Sequence, residues 1–153
     1  MKNTHLLRFM SCLMISIFLS SFLHAQQDVL PGENNKTAAI SYDYFPDRLH
    51  AFVWRNWFLI PVEHLATVVE TDAKKIQSIA FSMGLPSQPQ LLEEWSTSRG
   101  YITVLRRNWH LLPYEQLLTL LNMTRKELSW RLIEDDFLIV KLGEKPYCES
   151  LIY

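Results

Sequence analysis

At 153 residues the chain has room for one domain or two very small ones, and 15 Lys and Arg against 16 Asp and Glu leave a formal net charge of −1. That balance excludes the basic surface a nucleic-acid binder needs to displace counterions from phosphate. With only two cysteines, Cys12 and Cys148, a disulfide-stapled scaffold is excluded as well.

The N-terminus reads as a secretory signal peptide over residues 1–25. Lys2 and Arg8 supply a positive start, Leu13-Met14-Ile15-Ser16-Ile17-Phe18-Leu19-Ser20-Ser21-Phe22-Leu23 is a compact apolar run, and Leu23-His24-Ala25 offers a small-residue cleavage site. A membrane anchor is the weaker reading, because a span needs roughly 20 apolar residues. Cys12 precedes the apolar run instead of ending it, which argues against a lipoprotein and removes that cysteine with the signal. Cys148 is then alone, so the mature chain must be held by apolar burial. Cleavage leaves 13 basic and 16 acidic residues, a net charge of −3. The expected location is exported: periplasmic, cell-surface or secreted. Residues 26–44 are polar at first, carry the Pro31-Gly32 turn signal and read as a flexible tether.

The folded part, from residue 45, is organised around a stretch written twice. Arg55-Asn56-Trp57-Phe58-Leu59-Ile60-Pro61-Val62-Glu63-His64-Leu65-Ala66-Thr67 recurs at an offset of 52 as Arg107-Asn108-Trp109-His110-Leu111-Leu112-Pro113-Tyr114-Glu115-Gln116-Leu117-Leu118-Thr119, with eight of thirteen positions identical. Duplication of one structural unit follows. Ala51-Phe52-Val53-Trp54 and Tyr101-Ile102-Thr103-Val104-Leu105, which precede the copies, favour strands by composition. Pro61 and Pro113 suit helix starts, with Glu63 and Glu115 against the positive helix ends. Val62, Leu65, Ala66 and Val69 fall at i, i+3, i+4, i+7, as do Tyr114, Leu117, Leu118 and Leu121. A second helix starts in each unit at Asp72 and at Thr124, the latter with Glu127 at the capping-box distance. In unit one it ends at Gly84. In unit two Arg131 and Asp135 replace apolar Ile79 and Met83, which predicts a shorter second helix or one buried along a different line. Phe137-Leu138-Ile139-Val140-Lys141-Leu142, stopped by Gly143, reads as a closing strand.

The expectation is an α+β fold of two tandem strand-helix-helix(-strand) repeat units packed together. Unit one spans residues 45–86, a linker 87–98, with Leu91-Leu92-Glu93-Glu94-Trp95 as one helical turn, and unit two 99–144. Residues 145–153 form a tail whose abrupt end at Leu151-Ile152-Tyr153 fits a truncated product.

The repeated Arg-Asn-Trp supplies the candidate binding residues, Arg55, Trp57, Arg107 and Trp109. An aromatic face beside Arg and Asn can stack on a sugar or base. The competing and favoured reading makes Trp57 and Trp109 core anchors and Asn56 and Asn108 joint-formers. Glu93-Glu94 and Glu134-Asp135-Asp136 could supply the paired carboxylates of glycoside hydrolysis, although so small a body offers little cleft. The histidines are scattered, and no metal-ligand spacing, phosphate loop or nucleophile elbow is present, so no catalytic, metal or cofactor site is read.

The helix pairs resemble the helix-turn-helix of bacterial regulators, from which export and negative charge turn the reading away. The order strand, helix, helix, strand is similar to the LysM glycan-binding module, with Arg107-Asn108 where that family has Gly-Asp. A closer resemblance rests on Arg99-Gly100-Tyr101-Ile102-Thr103-Val104, Arg107-Asn108-Trp109-His110-Leu111-Leu112-Pro113-Tyr114, Glu134-Asp135-Asp136-Phe137-Leu138 and Lys141-Leu142-Gly143. Across residues 45–153 the chain resembles the N-terminal region of large exported Bacteroidetes-type proteins with glycoside-hydrolase-like domains. That resemblance implies a non-catalytic, glycan-associated accessory module of a polysaccharide-processing protein. The alternatives are a protein-protein interaction module of the cell envelope and a fragment of a glycoside-hydrolase-related enzyme. The partner is then a polysaccharide or a co-exported protein, not a nucleic acid, and the cleaved chain does not span a membrane.

Overall fold

The computed structural model describes residues 29–88, 99–135 and 137–153, and among them the architecture is helical. Unit one holds α1 (Arg48–Asn56), α2 (Val62–Val68) and α3 (Ala73–Ser82). Unit two holds α4 (Gly100–Asn108), α5 (Tyr114–Leu121) and α6 (Arg125–Glu134), followed by the short α7 (Leu138–Leu142). The starts of α1, α2 and α3 recur at the offset of 52 that relates the two written copies. The signal-peptide residues, the bridging turn at Leu91 to Trp95 and Asp136 lie outside the described residues.

The α+β expectation is corrected here: among the described residues the only β pairing is an isolated parallel bridge between Ala38 and Tyr147. Both runs read as opening strands lie inside helices. In α4 the buried positions are Tyr101, Val104, Leu105 and Asn108, a 3.6-residue period whose last member is polar. In α1 they are Ala51, Phe52, Val53 and Asn56. A buried asparagine ends the apolar pattern one turn early, so what is left resembles a short strand. The third run is α7, where Leu138 is buried with Ile139 and Leu142 partly so, while Val140 faces out; that is helical spacing. The strand-helix-helix-strand order behind the LysM comparison therefore does not form.

The helix starts and stops follow local chemistry. Asp47 accepts a hydrogen bond from the His50 N–H at 2.8 Å and Asp72 from the Lys75 N–H at 3.0 Å. Thr124 and Glu127 complete a capping box. At the end of α3 the Leu85 N–H reaches the Ala80 carbonyl and the Gly84 N–H that of Phe81, both at 3.0 Å, with Gly84 at φ +75°. That pair of bonds is a Schellman stop. The α6 helix is as long as α3, ten residues each, and buries Leu128 and Leu132 at the positions of Ile76 and Ala80. Neither the expected shortening nor burial along a different line occurs, because Arg131 lays its guanidinium 4.4 Å from the Tyr101 ring centre and so stays outside the core.

Helices of seven to ten residues are marginal alone, so packing holds them. The α1 helix packs on α4 and α2 on α5, joining like to like across the two units. The chain on either side is fastened to this body. From residue 29 on, the stretch read as a tether has Leu30 fully buried, and Tyr114 donates its hydroxyl to the Pro31 carbonyl at 2.6 Å. Arg125 pairs with Glu33 and, at 2.6 Å, with Glu115. The tail crosses both units as a strap. Gln116 exchanges hydrogen bonds with the Leu151 backbone at 2.7 and 2.8 Å and donates to the Val68 carbonyl at 2.9 Å. Arg48 of α1 holds the Glu149 carbonyl at 2.8 Å.

Candidate functional site

The four candidate residues from the repeat occupy a seam. Asn56 and Asn108 are fully buried and exchange amide hydrogen bonds, Nδ2 to Oδ1, at 2.9 and 2.8 Å. Each also donates to the carbonyl four residues earlier, Phe52 or Val104, at 2.8 Å. Arg55 Nε donates to the Arg107 carbonyl at 2.6 Å, and Arg107 Nη1 returns the bond to the Arg55 carbonyl at 2.5 Å. Carbonyls in the last turn of a helix have no intrahelical partner, and a cation there meets the negative end of the helix dipole. Each copy thus caps the other, which requires the same residues in both. Trp57 and Trp109 lie in the core with at most 1% of their surface exposed. Their ring faces are covered, so the sugar-stacking role has no surface here, and the structure places them where the anchor reading expects them.

The other candidates are dispersed. His50 is bonded to Asp47 at 2.8 Å and His64 Nε2 to the Leu120 carbonyl at 3.0 Å. Asp135 takes the Tyr101 hydroxyl and lies 3.5 Å from Arg99, an arrangement that ties α4 to the end of α6.

A cluster that the sequence reading passed over sits below the turn at Gly32. Lys145 is 97% buried, its residual exposure being 3%, and Cys148 retains 7%. Lys145 Nζ donates to the Pro146 carbonyl at 3.0 Å and lies 3.3 Å from Cys148 Sγ. The rings of Trp109 and Tyr114 flank the ammonium at 5.5 and 5.6 Å and stand edge to face, 83° apart. Cation–π contact offsets part of the lost hydration. Burial pushes the Lys145 amine below an ordinary lysine's range, against the opposing pull of Cys148. Burial, with Lys145 adding repulsion, likewise lowers the His110 imidazole. Burial raises the Tyr114 phenol, with the Glu33 carboxylate adding to it.

A pocket of about 200 Å³ adjoins the pair, lined by Gly32, Glu33, Tyr114, Glu115, Lys145 and Cys148 among others. Gly32 has φ +73°, and a Cβ there would meet the Lys145 backbone nitrogen at 3.1 Å. Only glycine lets this turn close over the lysine without displacing it. The single signal in the sequence was the spacing of Lys145 and Cys148, three residues apart around Pro146-Tyr147.

Among the described residues, no helix is long and apolar enough to cross a membrane. No family model, no curated protein and no solved structure matches the chain.

Proposed function

We propose that the protein is an exported, non-catalytic accessory module that works by binding a partner polypeptide, with the outer face of α6 and α7 as its contact surface. The observation that carries this is a row of large apolar side chains left in water: Trp130, Ile133, Phe137 and Val140 are 60%, 58%, 75% and 76% exposed. Trp130 and Ile133 share one side of α6, Phe137 and Val140 stand at the start of α7 that packs on it, and large apolar side chains left exposed together in this way mark an interaction surface. Divergence between the copies supports the same face. The residues the copies share serve the seam, the core and the helix ends, whereas Trp130 stands where unit one has Ser78 and α7 has no helical counterpart among the described residues. Export rests on the leader-like composition of residues 1–25.

A Trp130→Asp variant tests the reading. It should keep the wild-type circular dichroism and thermal midpoint while losing at least tenfold in affinity for the co-exported partner, a loss of about 1.4 kcal/mol. Unchanged partner binding by the folded variant would refute the assignment.

Glycan association is the second reading, and a different surface favours it. Tyr44, just before unit one, and Trp54 within it are exposed, and Phe45 stacks obliquely on Trp54 with ring centres 6.3 Å apart. Exposed aromatic faces suit sugar rings. Retention on a polysaccharide column that Trp54→Ala abolishes and Trp130→Asp leaves intact would select this reading over the first.

A further inference from the structure

We propose that Lys145 and Cys148 form a reversible sulfur–nitrogen cross-link when the protein meets a hydroperoxide such as hydrogen peroxide. Three features of the cluster carry the inference. First, the amine nitrogen is already 3.3 Å from the sulfur, and both groups are held in place by burial, the nitrogen between two aromatic rings. Second, the adjoining pocket of about 200 Å³ is several times the roughly 30 Å³ a water molecule occupies, so a peroxide of similar size can reach the sulfur. Third, a disulfide is not the natural outcome, because Cys148 is the free cysteine of the described residues and is 93% buried, too covered for the sulfur of a second protein to approach while a small peroxide still fits the pocket.

The chemistry balances in two steps. The Cys148 sulfur attacks one peroxide oxygen, the O–O bond breaks, and the departing hydroxide takes the thiol proton and leaves as water. Sulfur is oxidised by two electrons to the sulfenic acid and the peroxide is reduced. The neutral Lys145 amine then donates its lone pair to sulfur, the S–OH bond breaks, and the hydroxide leaves with an amine proton as a second water. No further oxidant is needed. Sulfenic acids are known to condense with backbone nitrogen in this way, and here the nitrogen is a side-chain amine. Burial favours the neutral amine that the second step requires.

Orientation decides the competition with over-oxidation. Well-placed intramolecular partners reach effective molarities on the order of 10⁵ M, far above any concentration of free peroxide available for a second oxidation. Two equivalents of an external thiol would return the free amine and thiol while becoming a disulfide. The cross-link removes the buried positive charge and pins the residues beneath the Gly32 turn, which makes the site a peroxide-responsive modification site.

The test uses the full chain carrying Cys12→Ser, so that every thiol signal reports on Cys148. After peroxide treatment, denaturation and alkylation, the expected intact mass is that of the reduced chain less two hydrogen atoms. Alkylation at Cys148 should fall at least tenfold and return after dithiothreitol. Lys145→Leu and Lys145→Arg should instead give dimedone-trappable sulfenic acid or oxygen addition located at Cys148 by peptide mapping. Oxygen addition at Cys148 in the Lys145 protein equal to that at Cys148 in the variants would overturn the proposal. So would a Cys148 that remains fully alkylatable after peroxide. The mass of the Lys145 protein decides by itself should either variant fail to fold.

Discussion

Lys145 sits where a cation is expensive, among ring faces, a carbonyl and a sulfur, none of which carries a formal charge while the thiol is protonated. Burial therefore lowers its pKa in the folded chain, whereas the unfolded chain keeps the ordinary value near about 10.4. Between those two values the unfolded state binds more protons, so stability rises with pH across that window. Tyr114 acts in the opposite sense: its raised pKa keeps the folded phenol protonated while the unfolded one ionises above about pH 10, so stability falls there. Urea midpoints should accordingly climb as the pH rises towards about 10 and then drop. Lys145→Met should abolish the climb and keep the drop, and a variant that still climbs would place the titration elsewhere. Beyond its three-residue spacing from Cys148 nothing in the sequence marked this lysine, because its burial comes from contacts with Gly32, Trp109 and Tyr114, which are far from it in the chain.

At the scale of elements, the starts of α2, α3, α5 and α6 and the stop of α3 were legible, and the helical identity of α1, α4 and α7 was not. Pro61, Pro113, Asp72, Thr124 and Gly84 act through bonds to residues within four positions, and a one-dimensional reading finds such partners. Asn56 and Asn108 act across 52 residues, so the helical period they complete is invisible until the two units are placed together. The same long-range pairing explains why the Arg-Asn-Trp repeat looked like a binding motif: it does bind, but its ligand is the other copy. Asn56→Ala should cost about 1–3 kcal/mol, since it strands a fully buried amide of Asn108. Replacing both asparagines with leucine should cost less than the sum of the two single leucine changes, because neither orphan then remains. A double-mutant cycle by chemical denaturation measures this directly, and strict additivity would contradict the reciprocal pairing.

For the molecule as a whole, the seam and the strap make the two units one cooperative body. Removing either unit leaves an orphaned carbonyl at Arg55 or Arg107 and a half-paired asparagine; without unit one Gln116 loses Val68, and without unit two the Val68 carbonyl loses Gln116. The slowest-exchanging amides of α2 and α5 should therefore share one opening free energy in native-state hydrogen exchange. Two distinct values would show that the units open independently. The partner of the proposed contact face was not legible at this scale, because on that proposal exposed side chains such as Trp130 answer to a surface outside the chain.

The reciprocal seam also bears on the order in which the protein is made. Unit one emerges from the ribosome first, with the Arg55 carbonyl and the Asn56 amide complete but their partners, Arg107 and Asn108, still unwritten. Early synthesis usually lets an N-terminal domain fold while the rest follows. Here that head start is withheld: stalled nascent chains ending near residue 88 should be digested quickly by a nonspecific protease, and resistance should arrive only once the last residues of the strap are free to close over both halves.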